Sequence, residues 1–94
     1  MPVIVPCGYA ENSLAQVQHL IKSVTADTPY AKSNDLTIVP KEIPSTKIVT
    51  GDCDPFLFVF ASVGWLEKYE DDLVKRLSAH FEVLLVPGRY YPKK

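Results

Sequence analysis

The stretch Phe56-Leu57-Phe58-Val59-Phe60-Ala61 decides how the rest of this chain is read. Six apolar residues are too few for a helix and far short of the roughly 20 needed to span a bilayer, and their aromatic and β-branched content suits a core strand. Pleating sends successive side chains to opposite faces. Phe56, Phe58 and Phe60 therefore share one face of a sheet, and Leu57, Val59 and Ala61 share the other.

Working outward, Gly51-Asp52-Cys53-Asp54-Pro55 is turn chemistry ahead of this strand. Before the turn, Leu36-Thr37-Ile38-Val39 and Lys47-Ile48-Val49-Thr50 are short β-branched segments. Pro40 and Pro44 lie between them and cannot donate to a ladder, so the whole stretch reads as an interrupted edge, with a hairpin joining 47–50 to 56–61.

Nearer the start, Val3-Ile4-Val5 lies between Pro2 and Pro6 and predicts a strand buried on both faces. In residues 12–24, Leu14, Val17, Leu20, Ile21 and Val24 recur at helical spacing, with Ser13 and Gln16 placed for a capping box. Pro29 reads as the end of that pattern, and residues 26–35 as a polar surface connection.

After the central strand, Ser62 or Gly64 can open a second helix carrying Leu66, Tyr69, Leu73, Leu77 and Phe81 on one side. Glu67, Glu70, Asp71 and Asp72 lie toward its amino end, and Lys75, Arg76 and His80 toward its carboxyl end, which complements the helix dipole. Val83-Leu84-Leu85-Val86 is the last strand, closed by Pro87-Gly88, and residues 89–94 read as a flexible basic tail.

The order strand, helix, strand, strand, helix, strand predicts a single α/β domain spanning residues 1–94. Its expected architecture is an α+β sandwich of the ferredoxin-like, split β-α-β kind, with two helices on a four- or five-stranded sheet. If 36–39 and 47–50 are separate strands, a thioredoxin-like or flavodoxin-like sheet is the alternative. The length of 94 residues, 47% hydrophobic and 22% charged, suits one core.

Ten Lys and Arg against eleven Asp and Glu give a formal net charge of −1, so no overall field draws a polyanion. Met1-Pro2-Val3-Ile4-Val5-Pro6 lacks the basic region and apolar length of a secretory signal, which predicts a cytoplasmic protein. Cys7 and Cys53 are far apart and form no zinc set, so both are expected as reduced thiols.

Cys7 is the sharpest catalytic candidate, because the loop Gly8-Tyr9-Ala10-Glu11-Asn12-Ser13 joins a strand to a helix amino end. Such a loop can turn backbone amides toward a thiolate or a bound anion. It resembles the phosphocysteine loop of the IIB components of sugar phosphotransferase systems. That resemblance implies a thiol or phosphocarrier enzyme using Cys7, with Gly8 and Ser13 in the anion loop. No arginine closes a Cys-x5-Arg phosphatase pattern. The opposing reading is a small buried residue ending a strand.

Phe56-Leu57-Phe58-Val59 in turn looks like the core of the RNP1 motif of RNA-recognition domains, whose aromatics stack on bases. That implies single-stranded RNA binding through Phe56 and Phe58. Asp54 and Pro55 stand where a basic residue and glycine are expected, and the acidic turn repels phosphates. A protein partner needs no positive charge.

Asp52-Cys53-Asp54 matches no established metal-ligand set, and His19 and His80 have no nucleophile in catalytic order. Arg89-Tyr90-Tyr91-Pro92-Lys93-Lys94 mixes aromatics with cations that can hold a partner or a phosphate. No nucleophile, base and orienting group occur together, and no cofactor or metal motif is complete.

The sequence therefore predicts a non-enzymatic binding or regulatory module, an inhibitor or assembly subunit. Phe56, Phe58 and Phe60 would form its interface with a protein partner or with a second copy in a homodimer. A small viral or phage-encoded inhibitor of host proteins would carry the same features.

Overall fold

The computed structural model describes residues 2–39 and 55–94. Within them the chain forms an α+β domain: helices lie over one side of a five-stranded mixed sheet. No helix among the described residues is long and apolar enough to cross a membrane.

The first strand, β1 (Val3–Cys7), pairs antiparallel along its whole length with β3 (Phe56–Phe60). The short β2 (Thr37–Ile38) adds in parallel to the other side of β1. Beyond β3, β4 (Glu82–Val86) pairs in parallel and β5 (Tyr90–Tyr91) pairs antiparallel with β4. The resulting order is β2-β1-β3-β4-β5.

The expected α+β class is therefore present, but the strand order is not that of the split β-α-β plan. There β3 would separate β1 from β2, whereas here β1 and β2 are direct neighbours. β3 uses both of its edges, one on β1 and one on β4. Residues 47–50, assigned to the first arm of a hairpin with β3, lie outside the described residues.

Sequence patterning accounts for the helices and the carboxyl end with three adjustments. α1 (Leu14–Thr25) buries Val17, Ile21 and Thr25 and leaves Leu20 and Val24 half-buried against the core. Ser13 does not cap it, because a 3-10 turn over Glu11–Ser13 precedes the helix and leaves Ser13 in a helical conformation with no side-chain cap. The capping box expected from Ser13 and Gln16 is thus replaced by a tighter entry turn.

The second adjustment concerns Pro29, which starts a helix rather than ending one. α2 (Pro29–Lys32) has Thr28 as its N-cap, its hydroxyl accepting from the Ala31 amide at 3.1 Å, with proline in the first turn where no amide is needed. This single turn drives Tyr30 into the core, leaving it only 2% exposed. Residues 26–35 are therefore more than a surface connection.

α3 (Val63–Ser78) begins as expected at Ser62, whose hydroxyl accepts from the Trp65 amide at 3.3 Å. It buries Trp65, Leu66, Leu73, Val74 and Leu77. Phe81, just past its end, is buried as well. Together with Ile4, Leu57, Val59, Val83 and Leu85 from the sheet, these residues make one continuous core. Each buried aliphatic side chain contributes about 1.5–3 kcal/mol.

The third adjustment is at the carboxyl end, where Tyr90 and Tyr91 of the basic tail form β5. Tyr91 donates its hydroxyl to Glu70 on α3 at 2.7 Å, and the Lys94 amide donates to the Ser78 carbonyl at 2.8 Å. The tail is thereby hydrogen-bonded to both sheet and helix.

A polar clasp joins the helices. Arg76 donates from Nε to Asp72 at 3.0 Å, and from a terminal nitrogen to Asp27 at 2.7 Å and the Val24 carbonyl at 2.9 Å. Tyr30 donates its hydroxyl to the same Asp72 oxygen at 2.9 Å. Partial burial pulls the Asp72 carboxyl upward, but the hydrogen bonds from Arg76 and Tyr30 and the positive charge of Arg76 outweigh it. The carboxyl titrates below its ordinary 3.8.

Because the folded-state value is depressed, the stabilisation is present above that ordinary value and fades as pH falls below it. Tyr30→Phe removes one hydrogen bond to a charged group and should lower stability by about 1–2 kcal/mol near neutral pH. Chemical denaturation at pH 7 and below pH 3 should show that difference shrinking in acid as Asp72 is protonated.

Candidate functional site: the phenylalanine side of the sheet

Pleat and register together sort the strand residues into two faces. Ile4, Leu57, Val59, Val83 and Leu85 point to the helices and are almost completely buried. The opposite side presents Val3, Phe60 and Val86 in one cross-strand row, Val5, Phe58 and Leu84 in the next, and Cys7, Phe56 and Glu82 in the third. α1 and α3 both pack on the first side and against each other.

The three phenylalanines share the second face, as their spacing predicts. Phe58 and Phe60 stack with centroids 4.5 Å apart and planes 7° from parallel, and Phe56 tilts against Phe58 at 6.3 Å. Exposure rises along the strand: Phe56 and Phe58 are half-buried, while Phe60 is 44% exposed. Val5 and Cys7 are buried on this side, so the accessible part lies toward the Phe60 end.

Across β1, β3 and β4 the first two rows consist of six apolar residues, and the flanking strands add Thr37 beside Val3 and Tyr90 beside Leu84. The third row holds Glu82, whose carboxylate accepts from the Tyr90 hydroxyl and from the Lys93 amide at 2.7 Å. The face is thus apolar toward its Phe60 end, with hydrogen-bonded polar groups gathered at the Glu82 end.

Cys7 occupies the last position of β1 and is 1% exposed. Its thiol lies 3.5 Å from the Val5 carbonyl. Gly8 takes a φ of +82°, a left-handed conformation that turns the chain sharply out of the strand. The following Glu11–Ser13 turn uses the Ser13 amide internally, as a donor to the Ala10 carbonyl at 2.8 Å. Of the proposed anion loop, Cys7 is thus enclosed and the Ser13 amide is engaged.

Tyr9, within this loop, packs edge-on to Phe81. Burial, followed by the negative fields of Cys7 and Glu82, pushes its hydroxyl up to about 12. It is therefore a neutral hydrogen-bonding group near pH 7 rather than a base. Tyr9, His80, Glu82 and Lys93 line a hollow of about 300 Å³ with Pro55 and Phe81.

His19 is exposed on α1 and His80 is exposed just after α3. No group of three or more potential metal-ligating side chains occurs among the described residues. Asp52, Cys53 and Asp54 lie outside them. Tyr30 is the structural residue that sequence reasoning missed; Thr28-Pro29 ahead of it was the available signal, as an N-cap followed by a first-turn proline.

Fold and surface define a small α+β domain with its helices on one side of a mixed sheet and an aromatic row on the other. No family model, curated protein sequence or solved structure matches the chain.

The enclosure of Cys7 makes a measurable statement about its chemistry. In a Cys53→Ser background at neutral pH, an aromatic disulfide reagent should label Cys7 only as fast as the protein opens, and denaturant should accelerate labelling at least a hundredfold. Rapid labelling of the folded protein would show a reachable, activated thiol.

Proposed function

We propose that this protein is a non-enzymatic association module that binds a protein partner through the Phe58–Phe60 side of its sheet. The observation that carries this reading is the stacked pair itself, with Phe60 44% exposed beside Val3 and Val86 in a row free of charge. Removing such area from water contributes roughly 25 cal/mol per Å², enough for a handful of side chains to anchor an interface.

The matching surface on the partner is apolar at its centre and supplies hydrogen-bonding groups opposite Glu82 and Tyr90. The enclosed Cys7 and the engaged Ser13 amide support binding rather than thiol catalysis. Glu82 at the end of the face supports a protein rather than an RNA partner.

Phe60→Glu is the decisive variant, since Phe60 is exposed and contributes little to the helix-side core. Light scattering over a concentration series reads self-association, and tagged protein in lysate of the native host reads association with another protein. The expected result is at least a tenfold loss of whichever association the unmodified chain shows, with far-UV circular dichroism unchanged. A monomer at every concentration, together with host-protein capture identical for both chains, would overturn the proposal.

A control at Val63, 60% exposed on α3, separates the face from general surface hydrophobicity. Val63→Glu should change association by less than twofold. An equal loss in both variants would assign the effect to lowered overall apolarity instead of to the phenylalanine row.

A further inference from the structure

We draw no further inference here: the strongest candidate, the hollow of about 270 Å³ between α3 and the carboxyl-terminal residues, holds Lys75, Lys93 and Lys94 with Asp71 near the carbonyl end of a helix, where cations answer the dipole, and the hydroxyl of its lining residue Ser78, without a partner among the described residues, is sealed from solvent, so nothing in the structure points to a ligand there.

Discussion

The antiparallel pairing of β1 with β3 is the constraint on which the rest of the structure depends. It fixes Ile4 opposite Val59 on the helix side and Val5 opposite Phe58 on the other, and a slip of one residue would exchange the faces. Once that register is set, Leu57 and Val59 lie beneath α1 and α3 and the phenylalanines cannot join them. The apolar row on the far side is a direct consequence of placing the core.

Around this central pair the chain repeats one local device. β1, α1 and β2 form one parallel unit, and β3, α3 and β4 form a second running in the opposite direction. Joining the two units through β1 and β3 places β2 outside β1 and β4 outside β3, with β5 beyond β4, and both long helices pack on the same side. Arg76 then bridges the end of α1 to α3, and Tyr30 adds a third attachment from α2. The clasp spans elements that are remote in sequence and stabilises their relative placement.

The two sides of the sheet differ in how they are packed. The helix side holds nearly all of the continuous core, while the other keeps stacked aromatic surface accessible at its Phe60 end. Glu82 links that surface to the carboxyl-terminal residues through Tyr90 and Lys93. Cys7 belongs to the same side but is closed off from solvent, so its position is that of a packed strand terminus.

Much of this was legible in residue order. The strands at 3–5, 56–61 and 83–86, both long helices and the shared face of Phe56, Phe58 and Phe60 follow from periodicity, and α3 also from its Ser62 cap, which are local properties of the chain. The role of Tyr30 was obscured because Pro29 can end one helix or begin another, and only the Thr28 cap in its folded geometry decides between them. β5 was hidden in a tail whose two tyrosines carry too little pattern to announce a strand.

Strand order was beyond local reading. A parallel neighbour and a split pair can use the same succession of elements, and the choice rests on which edges meet across long loops. Sequence by itself determined which residues are apolar, how they alternate and therefore what each element can bury. Tertiary structure alone decided that β1 lies between β2 and β3, that Tyr30 reaches Asp72, and which side of the sheet the helices cover, because these depend on packing between segments distant along the chain.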